Sequence, residues 1–462
     1  MKILFIYKYE YVEPLGIMYL SSLLRTHGHH CYFIDLQFAD HPIEEIQRIS
    51  PDIVAYSITT GKHKFYRAFN QELKKNLTFF SIFGGPHCTF SPQFIYEEGV
   101  DAICMGEGEF PFLELANNLE AGRDLTQIKN LWIKLGGEVY KNDLRPLIAD
   151  LDILPPPDRE LVNKYRHYRN MHRRYILTGR GCPYHCTYCF NHSYNKLYAN
   201  KGNVIRKRSI GNVLQELKFV KDTHRPERFQ FVDDTFILDY EWTLEFCEAY
   251  RREINIPFIA YVRVNLVKEE IVKALKDAGC ITIVYAIESG DERLRNNILK
   301  RGISDEQIIT ASKIFEKYGL SRYVQNMVGL PDETLDMAFR TVALNIECKA
   351  SYSWVSMFQP YPMTDLWEYS KERGYFKGDV ESVEESFYER SVMKLRDIEK
   401  MERLRHLFSL CVAFPSLVGL VRILIELPLN RVYQALWNLH RAWCYCFKVK
   451  WMDLGEVFIR EW

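Results

Sequence analysis

Three cysteines lie close together near the middle of the chain. Cys182, Cys186 and Cys189 have C-x3-C-x2-C spacing and follow a strand-like run at residues 174–178. Three thiolates on one short loop suit a cubane iron–sulfur cluster, in which they hold three of the four irons and leave the fourth open to a ligand. No fourth cysteine follows nearby. The alternative is a zinc knuckle in which His185 or His192 supplies the fourth ligand.

The flanks of this loop, Arg180-Gly181 and Tyr188-Cys189-Phe190-Asn191, resemble the cluster loop of the radical S-adenosylmethionine (radical SAM) superfamily. The resemblance is to those members that carry an N-terminal cobalamin-binding domain. It implies that the three cysteines are the catalytic metal ligands of a [4Fe-4S] cluster, and that Tyr188 and Phe190 contact the cofactors. It also implies that the open iron chelates the amino and carboxylate groups of SAM, which one electron then cleaves to a 5′-deoxyadenosyl radical.

The region that contains this loop, residues 173–365, alternates strand-like runs with amphipathic helical runs. Six such units resemble the partial (β/α)6 barrel of radical SAM enzymes, in which the chemistry lies at the C-terminal ends of the parallel strands. Distinctive polar residues fall at these ends, and Gln325 lies on the fifth strand, where the family packs adenine. The predicted cofactor-binding residues of this region are Asp234, Arg263, Glu288, Ser289 and Gln325.

Three further observations support this set. Asp234 ends the second strand, although Asp233 or Asp234 could instead cap the next helix. Arg263 lies in an alternating strand, where a cation is costly unless it is paired, so we expect a carboxylate partner such as that of SAM. The resemblance places Glu288 and Ser289, at the end of the fourth strand, near the ribose and amino-acid parts of SAM.

Residues 1 to about 125 also alternate strand-like and helical runs, which predicts a parallel, doubly wound sheet with ligands at the carboxyl ends of its strands. The loops at those ends carry glycines, hydroxyls and amides that suit a large, amide-fringed ligand. Segments 14–20, 84–87 and 106–109 resemble the cobalamin-binding domain of these proteins. The predicted cobalamin-binding residues are Gly16, Ser57, Thr59, Gly84, Gly85, Pro86, His87, Gly106 and Glu107.

One cobalamin signature is absent. No D-x-H-x-x-G motif, which would supply a histidine as lower axial ligand of cobalt, follows the second strand, which ends at Asp35. The family resemblance allows cobalamin without that histidine. A Rossmann-like domain that has lost its cofactor is the alternative, and a nicotinamide site is disfavoured because no G-x-G-x-x-G follows the first strand.

We therefore expect an α/β protein with four regions. They are a Rossmann-like doubly wound domain at 1–140, a linker at 141–172 that is stiffened by Leu154-Pro-Pro-Pro-Asp158, a radical SAM partial barrel at 173–365 and a helical C-terminal region at 366–462. The apolar stripes of the last region are typical of packing against a barrel. Its aromatic residues Trp437, Trp443, Tyr445 and Trp451, near Arg431, Arg441, Lys448 and Lys450, also leave open a peripheral membrane contact or an entrance for an apolar substrate.

Composition excludes some classes of partner. The chain of 462 residues has 60 basic and 60 acidic residues, so nothing global favours nucleic acid. The remaining cysteines are mostly isolated among apolar neighbours, as expected of a reduced cytoplasmic protein. Residues 1–7 predict a strand rather than a signal peptide, and no uninterrupted apolar run reaches the length of a membrane span.

The resemblance implies a cobalamin-dependent radical SAM enzyme, and methylation of an unactivated carbon is the most common activity of the subgroup. One alternative keeps both cofactors but catalyses oxidative cyclisation or rearrangement, as in anaerobic porphyrin-ring cyclases. Another is a non-catalytic sensor that binds cobalamin or a cluster. The expected partners are a small-molecule substrate, for which the aromatic content leaves an apolar compound open, and an electron donor such as flavodoxin or ferredoxin.

Overall fold

The computed structural model describes residues 1–9, 12–386, 388 and 390–449. The chain divides into two compact units. The first contains Met1–Met171, Ser193–Arg206 and Asp379–Glu385, and the second contains His172–His192, Lys207–Gly378 and the residues from Ser386 onward. The chain thus leaves the first unit and returns to it twice.

The first unit is built on a seven-stranded sheet with the order β2-β1-β3-β4-β5-β6-β7. Strands β1 to β5 are parallel, and β6 and β7 add an antiparallel edge. Because the strand order reverses between β1 and β3, the ligand crevice of such a sheet is expected at the carboxyl ends of these strands. The strands are β1 (Lys2–Tyr7), β2 (His30–Asp35), β3 (Ile53–Ser57), β4 (Phe80–Gly84), β5 (Ala102–Cys104), β6 (Leu131–Leu135) and β7 (Glu138–Lys141).

Helices cover this sheet, so its central strands are continuously apolar. Ile3, Leu4 and Ile6 of β1 are fully buried, and Tyr198, from the second segment of the unit, joins the same core. The helices are α1 (Leu15–Thr26), α2 (Pro42–Ile49), α3 (His63–Lys74), α4 (Pro86–Phe90), α5 (Glu109–Ala121) and α6 (Arg166–Arg169), with 3-10 turns at Pro92–Tyr96, Leu151–Ile153 and Arg159–Val162. Helix α7 (Phe190–Leu197) and strand β10 (Arg206–Lys207) cross from one unit to the other along the chain.

The second unit contains a six-stranded sheet with the order β15-β14-β13-β12-β11-β8, in which all neighbours are parallel. Each strand is followed by a helix that begins at a capping side chain or ends at a glycine, as Ser304 and Gly319 do for α11. The strands of this sheet are β8 (Arg173–Ile176), β11 (Arg228–Phe231), β12 (Phe258–Tyr261), β13 (Cys280–Glu288), β14 (Ser321–Val328) and β15 (Tyr352–Met357). The short strand β9 (Gly179–Arg180) is not part of it. The helices are α8 (Ile210–His224), α9 (Tyr240–Glu253), α10 (Glu269–Asp277), α11 (Asp305–Lys317), α12 (Leu335–Glu347) and α13 (Asp365–Glu372), with a π-helical turn at Leu294–Ile298.

The C-terminal helices belong to the second unit. They are α14 (Ile398–Ala413), α15 (Val418–Leu424) and α16 (Asn430–Trp443), followed by a π-helical turn at Cys444–Lys448. Helix α14 buries Met401, Leu404 and Phe408 against β15 and α12, which confirms the predicted packing against the barrel strands. The predicted fold class is therefore confirmed. None of the helices in the described residues is both long and apolar enough to cross a bilayer.

Candidate functional site

The cysteine loop follows β8 and is fixed at its start by Asp233. The backbone N–H and the hydroxyl of Thr178 donate to the Asp233 carboxylate at 3.1 and 2.6 Å, and Lys207 donates to the same carboxylate at 3.2 Å. Asp233 is buried, and Asp239 caps α9 by accepting from the Trp242 N–H. The alternative that Asp233 or Asp234 caps this helix is therefore wrong, and Asp233 is an anchor of the loop.

The middle of the loop is held by the segment after β13. The Thr187 N–H donates to Leu299 O at 3.2 Å, and its hydroxyl donates to Ile298 O at 2.7 Å. Arg263 lies against the other side, with its guanidinium 3.6 Å from the centroid of the Tyr184 ring and its Nη1 3.6 Å from the Cys186 sulfur. The buried guanidinium therefore contacts two residues of the loop, Tyr184 and Cys186.

The three cysteines differ in burial. Cys186 is buried, Cys182 and Cys189 are half-buried, and none of the three is in a disulfide. Burial, reinforced by the neighbouring cysteines and Asp234, raises the pKa of Cys182 and raises that of Cys189 to about 12. Thiols whose pKa is raised in this way lose their protons next to a strong positive charge, which bound iron would provide.

The histidines of the zinc alternative have other neighbours. The His192 Nε2 lies 3.2 Å from an Asp365 oxygen, and the Nδ1 atoms of His185 and His192 lie 3.2 Å apart. Within the part of the chain that the structure describes, no group of three or more His, Cys, Asp or Glu side chains has the arrangement of a metal site. The assignment of the three cysteines as cluster ligands stays a prediction, which the donor set, the burial and the adjacent cation all fit.

Next to this loop, Glu288 forms a buried network with Tyr188 and Arg301. Glu288 Oε1 accepts from the Tyr188 hydroxyl at 3.0 Å and from Arg301 Nη1 at 3.4 Å, and Arg301 Nη1 also donates to the Tyr188 hydroxyl. Burial raises the pKa of Glu288, against the opposing effect of Arg301. Among the described residues, the Nε atoms of Arg301 and Arg263 are buried without a hydrogen-bond partner. Two orphaned cationic donors beside the cysteine loop suit an anionic ligand such as a carboxylate.

The other predicted residues of this unit have different environments. Asp234 is accessible to solvent, yet burial of its carboxylate in a recess raises its pKa, while a hydrogen bond from Asn191 opposes that shift. The Gln325 side chain is half-buried and makes no hydrogen bond to another described residue. Phe190 is 46% exposed. Ser289 is fully buried, and its hydroxyl accepts from the Asp291 N–H, so it shapes the turn after β13.

In the first unit, five predicted residues lie together at the carboxyl ends of β3 and β4. The exposed hydroxyls of Ser57 and Thr59 make no side-chain hydrogen bond to another described residue. Gly85 has a φ of 91°, and a Cβ there would lie 2.8 Å from Ile58 O, so only glycine fits. Gly84 and Gly85 are half-buried and Pro86 is exposed at this edge. Gly16 lies in the first turn of α1, with nothing within 4 Å of where its Cβ would be.

Three other predicted residues of this unit have partners inside it. His87 is buried, with its ring stacked on His63 at 4.0 Å and its Nδ1 3.1 Å from the Thr60 hydroxyl. Burial lowers the pKa of His87 to about 3. Glu107 accepts from Arg206 at 2.8 Å and from the Ile148 N–H at 2.9 Å. A Cβ at Gly106 would overlap the Tyr198 hydroxyl, so this glycine makes room for an aromatic ring of its own chain.

Sequence reasoning missed Arg301, Tyr198 and Glu381. Glu381 accepts from Arg67 through both carboxylate oxygens, at 3.2 and 3.1 Å, and lies 3.0 Å from His63 Nε2. All three act on partners far away in sequence and stand in no motif. A buried charge that follows a strand end, as Arg301 does after β13, is the one signal that could have identified such a residue.

Comparison with known families gives two matches. Residues 176–344 match the model of the Radical SAM superfamily, and residues 1–116 match that of the B12 binding domain. The first match begins at the end of β8 and includes the cysteine loop, and the second covers the five parallel strands of the first sheet.

Individual relatives agree with these matches. An uncharacterized methyltransferase of Pyrococcus horikoshii is 33% identical over 369 residues, which cover 77% of this chain and 78% of the relative. The anaerobic magnesium-protoporphyrin IX monomethyl ester cyclase of Rubrivivax gelatinosus is 26% identical over 77% of this chain, which spans 66% of that enzyme. The fold is also that of the radical SAM methyltransferase TsrM from Kitasatospora setae, with a TM-score of 0.69, 16% identity, and coverage of 82% of this chain and 77% of that one.

Proposed function

Because this chain belongs to the radical SAM superfamily and carries a B12-binding domain, we propose that it is a cobalamin-dependent methyltransferase acting on an unactivated carbon of a small molecule. Its cofactors are a [4Fe-4S] cluster, SAM and cobalamin. The observation that carries the proposal is the cysteine loop, which is fixed at its start and in its middle and lies beside two arginines with orphaned donors. Reducing equivalents would come from a donor such as flavodoxin or ferredoxin.

The three cysteines would hold the cluster, which supplies the electron that cleaves SAM to a radical able to attack an unactivated C–H bond. The residues of this chain orient that reaction. Arg263 would orient the loop through its contact with the Cys186 sulfur at 3.6 Å, and the orphaned Nε atoms of Arg263 and Arg301 would bind the carboxylate of SAM. Glu288 would accept hydrogen bonds from the amino group or the ribose of SAM, and Asp234 and Gln325 would supply further polar contacts.

Cobalamin would bind at the carboxyl edge of the first sheet. The hydroxyls of Ser57 and Thr59 would bond to its amide side chains, and the half-buried Gly84 and Gly85 and the exposed Pro86 would lie against its ring. His87 is packed against His63, so we propose that it is not an axial ligand of cobalt. Electron paramagnetic resonance of the cobalt(II) form should then be the same in His87→Asn as in the wild type.

The decisive experiment is anaerobic reconstitution with iron, sulfide and cobalamin, followed by reduction in the presence of SAM. We expect 5′-deoxyadenosine to form, and Cys186→Ala to abolish both its formation and the cluster absorbance. Cys446→Ala is the matched control, because Cys446 is a half-buried cysteine of the same unit outside the loop. Retention of a full cubane spectrum by Cys186→Ala would refute the ligand assignment, and absence of 5′-deoxyadenosine from the wild type would favour a sensor.

Oxidative cyclisation is a second candidate, which is supported by the 26% identity to the porphyrin-ester cyclase. The products distinguish the two reactions. Methylation adds one methylene to the mass of the substrate and yields S-adenosylhomocysteine from a second SAM. Cyclisation without methyl transfer yields 5′-deoxyadenosine and no S-adenosylhomocysteine.

A further inference from the structure

The C-terminal helices expose a large apolar surface. Of the seventeen large hydrophobic side chains that are exposed in the described residues, ten lie between Phe414 and Phe447. Leu439 is 72% exposed and Ile423 is 67% exposed. Soluble monomers rarely expose so many large apolar side chains along one short stretch of chain. We call these ten residues the C-terminal apolar face: Phe414, Leu420, Ile423, Leu427, Leu429, Val432, Leu436, Leu439, Trp443 and Phe447.

Core packing does not explain this face, because α16 is apolar on two sides. Val432, Leu436, Leu439, Trp443 and Phe447 follow one another by four, three, four and four residues and form one outward stripe. The inward stripe contains Tyr433, Trp437 and His440 of α16 and Cys444 of the π-helical turn that follows, all of which are buried. The His440 Nδ1 lies 2.9 Å from the Ser409 hydroxyl of α14, so the inward stripe already makes the contact with the rest of the unit.

The charges around the face are of one sign. Residues 413–449 contain the four cations Arg422, Arg431, Arg441 and Lys448 but only one anion, Glu426, although the whole chain has as many acidic as basic residues. Glu426 pairs with Lys400 of α14 at 2.7 Å, and Arg422 pairs with Asp336 of α12 at 2.9 Å, so both charges are compensated. Arg441 lies over the buried ring of Trp437, 4.0 Å from its centroid, whereas Lys448 lies over the exposed Trp443, with its Nζ 5.1 Å from the ring centroid. The exposed cations at this face that form no ion pair with another described residue are Arg431 and Lys448.

We propose that the C-terminal apolar face docks on the surface of a membrane that contains anionic phospholipid. Leucine, isoleucine and phenylalanine side chains would enter the boundary between headgroups and acyl chains, Trp443 would lie at the interface, and the cations would meet lipid phosphates. A second copy of the chain fits less well, because a symmetric contact through this face would oppose Arg431 and Lys448 to cations of the same kind. The docking is independent of the reaction proposed above.

This surface differs from the aromatic set expected from the sequence. Trp437 and Tyr445 are buried and cannot reach a membrane. Among the aromatic residues of that set that the structure describes, only Trp443 is exposed. Trp451 and Lys450 lie outside the described residues. The aliphatic residues, led by Leu439 and Ile423, would therefore provide most of the buried area.

Co-sedimentation with lipid vesicles tests the proposal on the full-length protein. We expect the protein to bind vesicles of phosphatidylcholine with phosphatidylglycerol. Binding to vesicles of phosphatidylcholine alone, or to the mixed vesicles at high salt, should be weaker by about tenfold or more. Leu439→Glu should weaken binding to the mixed vesicles about tenfold or more, because it replaces a buried apolar contact by an anion. Phe219→Glu is the matched control, since Phe219 is 50% exposed on α8, away from the face, and should bind as the wild type does.

Circular dichroism melts of both variants verify that each is folded. Failure of the wild type to bind the mixed vesicles would overturn the proposal, and so would equal binding by Leu439→Glu. A third contrary result would combine three observations: light scattering shows a wild-type dimer, Leu439→Glu dissociates that dimer, and the wild type does not sediment with vesicles. That outcome would assign the face to contact between copies of the chain.

Discussion

Arg301 is the buried cation beside Glu288, and it also donates to Ala286 O at 2.9 Å. A lysine at this position keeps the charge but loses the planar fork and the unpartnered Nε donor. If that donor binds SAM, Arg301→Lys should raise the dissociation constant of SAM about tenfold, which corresponds to about 1.4 kcal/mol. Calorimetric titration of the reconstituted protein with SAM measures this change.

Iron content and the cluster absorbance should be unchanged in Arg301→Lys, because the cysteines are not altered. Arg293→Lys provides the control, since Arg293 is exposed in the same segment between β13 and α11. A variant that keeps the wild-type affinity for SAM would show that Arg301 only stabilises Glu288.

His87 makes the stability of the first unit depend on pH. The native histidine binds a proton only near pH 3, whereas an ordinary histidine, as in the unfolded chain, binds one near 6.5, and burial is the main cause of the difference. As the pH falls below 6.5, the unfolded chain gains the proton first, so the native state loses stability. The free energy of unfolding should fall by about 1.4 kcal/mol per pH unit for this one group.

The free energy of unfolding of the first unit can be measured in urea by hydrogen exchange at several pH values between 7 and 5. Its slope against pH should be smaller for His87→Asn than for the wild type. His41→Asn should keep the wild-type slope, because the His41 side chain is 75% exposed. Identical slopes for His87→Asn and the wild type would contradict the assignment of a buried neutral imidazole at this position.

The sequence predicted individual site residues unevenly. The cysteines and Glu288 could be found because they stand in short motifs at strand ends, where a parallel sheet collects ligand contacts. Arg301 and Glu381 could not be found, because their partners lie thirteen or more residues away and no local pattern records a long-range pairing. His87 stays a predicted cofactor residue whose ring is buried against His63, because the motif gives the position of a residue and not the direction of its side chain.

At the scale of elements, periodicity was sufficient for the strands and most helices. Short continuous apolar runs such as Ile3–Ile6 favour strands covered on both faces, and the alternation of such runs with amphipathic stretches favours a parallel order. Segment 84–87 was expected in a loop at a strand end, but α4 begins at Pro86. Proline fits the first position of a helix, and this helix turns His87 into the core.

The turn before α13 shows how a local departure from the family pattern is accommodated. Met363 stands where the family often has glycine, and it adopts a φ of 63° with its side chain 56% exposed. A left-handed conformation costs a non-glycine residue about 1–2 kcal/mol, which the surrounding structure must offset. Thr364 caps α13 by accepting from the Trp367 N–H, so the turn keeps its role of starting the helix.

At the scale of the whole molecule, the first unit is assembled from three separate segments of chain. Tyr198 of the second segment is buried above Gly106, and Glu381 of the third pairs with His63 and Arg67. A predicted domain at 1–140 reflects the continuous run of strands and helices. Periodicity cannot reveal the later segments, because each is short and its contacts lie far away in sequence.

Residues 1–171 produced alone should therefore be less stable than the same residues within the full chain. Loss of a buried aromatic side chain such as Tyr198 costs about 3–5 kcal/mol, and the ion pairs of Arg206 and Glu381 are lost as well. Hydrogen exchange of β1, β3 and β4 should be faster in this fragment, and a fragment of residues 1–206 should recover part of the protection. Equal protection in the short fragment and the full chain would show that the first segment folds independently, and that the two later segments only pack onto a finished domain.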